Sequence, residues 1–216
     1  GKTLGTWGDI GCFSFEEKKC MTTGDGGMIC SDDVDLIEPL KAYRWVGIDK
    51  DTWRRAKKAS GLNENEAMHW HYEISVLGYK YNMNDLAAAI GLAQLEKLDK
   101  MNQKRAEIIE KYIDGIKELK SIKPIFPYEK RNGAYWYFGI RSHNRDELII
   151  FLKNKGIATG VHFYPLTLQP LFKPYSKNCN NAERIWDQFI TLPSHVDLTK
   201  SEIDYVICTL NEFYSR

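Results

Sequence analysis

Short apolar runs bounded by turn residues open the sequence and predict two β-strands. Residues 10–15 (IGCFSF) follow Gly8 and Asp9, and their apolar, β-forming side chains predict a buried strand. Residues 27–31 (GMICS) predict a second strand, and the turn cluster TTGDG at 22–26 separates the two. The pair is expected to form a hairpin or to lie as neighbours in one sheet.

Helical periodicity dominates the part of the chain that follows. Residues 31–33 (SDD) are typical of a helix N-cap ahead of VDLIEPLKAYRW, in which Pro39 indicates a kink or a break. In residues 84–119 no proline interrupts the apolar positions, which recur near helical spacing behind two candidate capping residues, Asn84 and Asp85. That length is unusual for one globular helix, so we expect an element that bridges two domains and is broken near 99–102.

The distal part of the sequence predicts a small α+β domain. The prolines and the glycine of residues 119–133 indicate a boundary, which gives domains at 1–118 and 119–216. Glu202, three residues after Thr199, completes a capping-box signature for the last helix. Strands are predicted at 134–141 and 157–163, and helices at 145–155, 181–190 and 201–214.

Composition and charge exclude several classes of protein. Lysine and arginine total 30 against 29 acidic residues, and this net charge of +1 argues against nucleic acid as a partner. No run of about 18 apolar residues is present, so no membrane span is expected. No secretory signal is recognisable, and the cysteines are widely spaced, so we expect reduced thiols in a cytoplasmic protein. His69 and His71 lack a third nearby ligand, and we expect them to pack in a loop and no metal to bind.

The most suggestive chemistry lies just beyond the first predicted strand. Lys18 and Lys19 follow the end of that strand, where a lysine can serve as the nucleophile that captures a carbonyl group. The hydroxyl of Ser14 and the glycine-rich turn at 22–27 (TTGDGG) offer hydroxyl and amide donors for a phosphate. Spacing alone leaves a second interpretation open, in which the lysines are solvated and the glycines only form a tight turn.

The stretch FSFEEKKCMTTGDGG resembles the lysine motif of the DegT–StrS family of pyridoxal-phosphate sugar aminotransferases. The family pattern is Ser-Phe, three residues, Lys, and then a turn similar to Thr-Thr-Gly-Glu-Gly-Gly. The resemblance puts Lys19 at the lysine that binds the cofactor covalently and Ser14 at the serine that binds its phosphate. Asp25 stands where the family more often has Glu, and Cys20 stands where Asn is frequent.

Further segments extend the resemblance along the chain in the same order. GYKYNMNDLAAAIGLAQL (78–95) is similar to the start of the family's long interdomain helix, which implies that Lys80 or Asn82 reaches the cofactor phosphate of the partner subunit. GIATGVHFYPLTLQPLF (156–172) is similar to the family's small-domain strand and loop. This similarity implies that His162, close to Tyr164, contacts the substrate.

A basic stretch resembles a loop that is inserted in one branch of the family. RWVGIDKDTWRRA (44–56) is similar to the loop of members that act on nucleotide-linked 4-keto sugars. Arg54 and Arg55 fall in this loop, within the aperiodic residues 46–76. They form either a solvated face or a contact with the diphosphate of a nucleotide sugar.

The resemblance implies an α/β fold of the aspartate-aminotransferase type. Residues 1–118 are then the distal part of the large cofactor-binding domain with the long helix, and residues 119–216 the small C-terminal domain. The sequence starts at Gly1 in what resembles the middle of a fold, so we expect a distal portion of a longer chain.

The activity implied is that of a homodimer that uses pyridoxal 5'-phosphate. Such an enzyme moves an amino group, typically from glutamate, to a keto sugar of a nucleotide sugar, in the synthesis of polysaccharide or glycoconjugate precursors. Two alternatives stay open. One is a related pyridoxal-phosphate sugar dehydratase, a class that carries His at the position of Lys19. The other is a non-catalytic fragment or subunit that needs its proximal half.

Overall fold

A computed structural model describes residues 2–48, 72–125 and 133–215. The architecture is mixed α/β, and the chain divides into two compact units, Gly1–Glu96 and Lys97–Arg216. The domain boundary expected near residue 118 stays a prediction about the large and small domains of the family. In the described ranges, none of the helices has both the length and the apolar character that a membrane span needs.

The first unit contains an antiparallel hairpin. Strand β1 (Gly11–Ser14) pairs with β2 (Gly27–Cys30), with Gly11 opposite Cys30 and Ser14 opposite Gly27. The prediction of a buried strand at 10–15 is wrong for this structure, because Ile10 is 43% exposed and Phe13 39% exposed. A two-stranded sheet buries side chains only where another layer covers it.

Helix α1 (Val34–Tyr43) follows the hairpin and has the predicted N-cap. Asp33 Oδ1 accepts a hydrogen bond of 2.8 Å from the Asp35 amide. Pro39 lies inside this helix and does not end it. The segment beyond residue 72 returns to the end of α1, where the amide of Tyr79 donates to the carbonyl of Tyr43 at 2.7 Å.

The long helical pattern forms two helices. Helix α2 (Asp85–Leu95) is capped by Asn84, whose Oδ1 accepts from the Ala87 amide at 2.9 Å, as predicted. Helix α3 (Leu98–Ile116) begins after a break at Glu96 and Lys97. The break therefore precedes the predicted position at 99–102, and α2 and α3 belong to different units.

The second unit contains a three-stranded antiparallel sheet of β3 (Ile122–Pro124), β4 (Phe138–Ser142) and β5 (Phe189–Leu192), in that order. Its helices after α3 are α4 (Arg145–Asn154), α5 (Asn180–Ile185) and α6 (Lys200–Tyr214). Helix α3 contacts α6, and α4 contacts β4, β5 and α6.

Two predictions for this unit are wrong. Residues 157–163 form no strand and contribute only an isolated bridge from Gly160 to Thr191. The helix predicted at 181–190 ends at Ile185, and a short 3-10 turn leads into β5. All four residues of β5 are buried, so packing in the sheet decided its conformation. Strand β3 lies within residues 119–133, where no strand was predicted.

A single apolar core holds the second unit together. Tyr112 of α3 and Phe138 of β4 are both fully buried, and their rings stack at 5.2 Å. The hydroxyl of Tyr112 donates to the carbonyl of Pro193 at 2.8 Å, and burial raises the pKa of this phenol well above its usual value. The predicted capping box at the start of α6 is present, with Thr199 and Glu202 bonded reciprocally.

Candidate functional site

The connection between β1 and β2 carries Lys19 on a tight turn. The Lys19 amide donates to the carbonyl of Glu16 at 3.0 Å, and the Glu16 amide donates to Ser14 Oγ at 3.3 Å. Ser14 and Lys19 therefore both hydrogen-bond to Glu16. Lys19 Nζ lies 3.8 Å from Glu16 Oε2, and its side chain is 28% exposed, whereas Lys18 is 73% exposed. The two adjacent lysines therefore differ in environment, and Lys19 is the more enclosed.

The threonine-glycine turn is folded back onto the same strand end. Thr23 is 6% exposed, and its amide donates to the carbonyl of Phe15 at 2.9 Å. The hydroxyl of Thr22 also donates to Phe15, at 3.1 Å, and accepts from the Gly24 amide at 2.9 Å. Gly24 has φ +85°, a left-handed conformation that glycine adopts without steric cost. These bonds fix the turn beside Ser14.

Helix α2 packs closely against this turn. A Cβ at Gly91 would lie 3.0 Å from Thr23 Cγ2, so a larger residue there would push the threonine aside. Asn82 lies two residues before the N-cap of the same helix, and its carbonyl oxygen Oδ1 is buried with no hydrogen-bond partner among the described residues. A buried amide oxygen without a partner is costly, and such groups are normally satisfied by a ligand, water or another chain.

Lys80 has a different environment from Asn82. Its ammonium lies 3.4 Å from the centroid of the Trp45 ring, and the backbones of the two residues form an isolated antiparallel bridge. Of the two residues predicted to reach a cofactor phosphate, Lys80 is thus engaged by an aromatic ring and Asn82 presents the unsatisfied group. Arg54 and Arg55, with His69 and His71, lie outside the described residues.

His162 belongs to the second unit and lies in an aromatic cluster. Its imidazole stacks on the Tyr137 ring at 5.5 Å with an interplanar angle of 11°, and the Trp136 ring meets it edge-on at 5.4 Å. Its Nδ1 is 3.1 Å from Thr191 Oγ1. Tyr164 packs edge-on against Trp186 at 4.8 Å.

The sequence pattern had not indicated the neighbours of His162. Tyr137 lies in an aromatic run that predicts only a strand, and Thr191 follows a stretch that predicts a helix. The polar Thr191 inside the otherwise apolar run FITL was one signal that the sequence offered. The two groups of candidate residues, around Lys19 and around His162, lie in different units.

Solved structures define the class of protein to which this fold belongs. The aminotransferase TlmJ of Streptoalloteichus hindustanus superposes with a TM-score of 0.84 at 28% identity, over 98% of this chain and 54% of that one. Spr1654 of Streptococcus pneumoniae, in a structure described as its PLP-form, gives a TM-score of 0.82 at 26% identity, over 100% of this chain and 54% of that one. The predicted fold class, that of an α/β aminotransferase, is confirmed.

The chain belongs to the DegT/DnrJ/EryC1/StrS aminotransferase family, whose family model matches residues 1–211. GDP-perosamine synthase of Escherichia coli O157:H7 is 33% identical, over 100% of this chain and 54% of its own length. The chain thus spans about half the length of the curated relatives it matches. The predicted family is therefore confirmed.

Proposed function

We propose that this chain is the lysine-bearing part of a pyridoxal-phosphate-dependent sugar aminotransferase. The observation that carries the proposal is the joint placement of Ser14 and Lys19 on one hydrogen-bonded turn, next to the buried Thr23. The amino donor is glutamate and the acceptor is a keto sugar carried on a nucleotide. Support comes from the family and from GDP-perosamine synthase, a relative that is named for an amino sugar linked to a nucleotide.

The residues present around Lys19 suit pyridoxal phosphate. Ser14 Oγ accepts from the Glu16 amide, which leaves its hydroxyl hydrogen to be donated to a phosphate oxygen. Asn82 is assigned to the cofactor of the partner subunit, where its amide Nδ2 can donate to a phosphate oxygen, whereas its unpartnered Oδ1 can only accept a hydrogen bond. When bound, the cofactor supplies an electron-withdrawing ring that stabilises negative charge on the carbon beside the transferred amine.

Lys19 has two tasks in this proposal. Its amine would hold the cofactor through the cofactor's carbonyl group, with water as the leaving group, and the same amine, when free, would carry a proton between the donor's α-carbon and the cofactor. The carboxylate of Glu16, 3.8 Å from Nζ, orients the amine on the turn. Lys18 is 73% exposed, lies 3.8 Å from Glu17 and takes no part.

The proposed assembly is a cytoplasmic homodimer with shared sites. Asn82 and Lys80 are assigned to the cofactor phosphate of the partner subunit, His162 and Tyr164 to the sugar, and Arg54 with Arg55 to the diphosphate. An isologous dimer of this kind lets each subunit complete the site of the other. Mixing Lys19→Ala and Asn82→Ala subunits is then expected to restore up to about a quarter of wild-type activity, through hybrid dimers with one intact site.

Chemical trapping on the full-length enzyme tests the proposal. Borohydride reduction of the cofactor-loaded protein, followed by peptide mapping, is expected to place the covalent adduct on Lys19. Lys19→Ala should abolish amino transfer and the cofactor's absorbance band, whereas the matched control Lys18→Ala should retain both. An adduct on Lys18, or full activity in Lys19→Ala, would contradict the assignment. A full-length protein without any adduct would favour a non-catalytic subunit.

A further inference from the structure

A buried threonine connects His162 to the backbone of the second unit. Thr191 is 5% exposed, and its Oγ1 lies 3.1 Å from the carbonyl oxygen of Gly160 and 3.1 Å from His162 Nδ1. The same two backbones are also bonded directly, since the Thr191 amide donates to Gly160 at 2.7 Å. The Thr191 hydroxyl is therefore held in place, and its two polar neighbours, the Gly160 carbonyl oxygen and His162 Nδ1, both lie within residues 160–162.

Proton counting assigns the direction of these bonds. A threonine hydroxyl has one hydrogen and two lone pairs, and a carbonyl oxygen can only accept. If the hydroxyl donated to His162, its lone pairs would face the Gly160 oxygen at 3.1 Å, with no hydrogen between the two oxygens. If it donates to Gly160, it accepts from His162, and each of the two contacts contains a hydrogen. The second arrangement requires a hydrogen on His162 Nδ1.

The surroundings hold the imidazole in this orientation. A Cβ at Gly160 would lie 2.7 Å from His162 Cε1 and 2.9 Å from Thr191 Oγ1, so residue 160 must lack a side chain. Tyr137 covers one face of the ring and Trp136 meets it edge-on. Rotation of the ring that would exchange its nitrogens is opposed from several sides.

We propose that Thr191 is a positioning residue that keeps neutral His162 in the tautomer with hydrogen on Nδ1, so that Nε2 accepts a hydrogen bond from the substrate. The substrate group is then a donor, a sugar hydroxyl or amine. The role toward substrate rests on the proposed function, whereas the tautomer does not. A histidine side chain in water favours the hydrogen on Nε2, so the expected state differs from the default.

Nitrogen NMR of the 216-residue chain tests the tautomer directly. Long-range proton–nitrogen spectra of the five histidines, recorded at pH ~8.5, above the reference imidazole value of about 6.5, distinguish the two tautomers. The His162 signals are assigned by their loss in His162→Gln. We expect a protonated Nδ1 in the wild-type chain and in Thr191→Ser, which keeps the hydroxyl. Thr191→Val, which has the same shape without the hydroxyl, is expected to shift toward the Nε2-protonated form.

Kinetics of the full-length enzyme test the role toward substrate. Thr191→Val is expected to raise KM for the sugar acceptor about tenfold, the loss of one well-placed hydrogen bond, with the cofactor spectrum and the amino-donor half-reaction unchanged. Thr191→Ser should restore most of the affinity. Protonated Nε2 in the wild-type chain, or the same tautomer in wild type and Thr191→Val, overturns the proposal. A confirmed tautomer with unchanged KM would leave Thr191 positioning a histidine that does not contact substrate, which contradicts the substrate role alone.

Discussion

The two units of the chain differ in how completely they bury their apolar residues. In the second unit Leu148, Phe138 and Leu210 are fully buried around one core. In the first unit Leu86 is 80% exposed and Leu92 67% exposed, although both lie on a regular helix. Both units thus contain regular secondary structure, but among the described residues only the second unit has layers that cover its apolar side chains.

Helix α2 shows the difference most clearly. Its sequence, DLAAAIGLAQL, is apolar on every side, and Gly91 is its only buried residue. A helix that is apolar all round is normally buried in a larger protein. The neighbouring hairpin has the same character, with Met28 52% exposed and Ile29 48% exposed. The surface of the first unit is therefore suited to contact further protein.

The conformation of the Lys19 turn depends little on burial beneath another layer of protein. Its order comes from short-range hydrogen bonds among Ser14, Phe15, Glu16 and the two threonines. The His162 cluster, by contrast, depends on Thr191 of a buried strand. The geometry of the candidate site residues is thus set by local hydrogen bonds in the first unit and by the core in the second.

Two matched leucine substitutions should separate the units most strongly. Leu148→Ala removes a fully buried side chain and is expected to lower the free energy of unfolding by about 2–5 kcal/mol. Leu92→Ala, at a site 67% exposed in a helix, should change it by less than about 0.5 kcal/mol. Urea unfolding of the 216-residue chain followed by circular dichroism measures both, and equal effects would remove the contrast.

Alkaline pH should weaken the second unit through its buried phenols. Burial raises the pKa of Tyr112, so its stabilising contribution is complete below the unfolded value of about 10 and is lost as the pH rises towards the folded value. Each pH unit above about 10 should then cost up to about 1.4 kcal/mol from this group. Unfolding of Tyr112→Phe should depend less steeply on pH there, and an unchanged slope would count against the burial argument.

Self-association should depend on the first unit. Replacing Leu86, Ile90 and Leu92 by lysine places charge on the exposed apolar helix, and we expect the association constant of the chain to fall by about tenfold or more. The control is Ile150→Lys, which changes a single exposed side chain in the second unit. Sedimentation velocity over a concentration series gives the constants. A larger effect from Ile150→Lys would show that the associating surface lies in the second unit, which would contradict the prediction.

The capping box of α6 should give the smallest effect. Thr199→Ala removes the side-chain acceptor for the Glu202 amide, and such caps contribute about 1 kcal/mol. The hydrogen bonds from the Thr199 backbone and then its hydroxyl also lower the pKa of Glu202. A carboxyl titration by NMR should therefore move toward the usual glutamate value in Thr199→Ala, with Thr199→Ser as the control. No movement would show that the hydroxyl contributes nothing to the box.

Local chemistry in the sequence was sufficient to predict much of the molecule. The N-caps at Asp33 and Asn84 and the capping box at Thr199 act within three residues of themselves, so their spacing was enough to identify them. The Ser14–Lys19 motif is also a local feature, and its pattern indicated the family that the comparisons confirm. The roles of these site residues stay predictions.

Packing between distant segments decided the rest. Residues 189–192 follow a helix with no breaker between them, and only their complete burial beside β4 makes them a strand. A separate bridge brings Thr191 to Gly160 and His162, about 30 positions away in the sequence. Exposure of β1 was equally beyond the sequence pattern, because an apolar run shows that a strand can be buried and not whether another layer covers it. Short-range hydrogen bonds could thus be predicted from spacing, whereas burial is a property of the assembled layers.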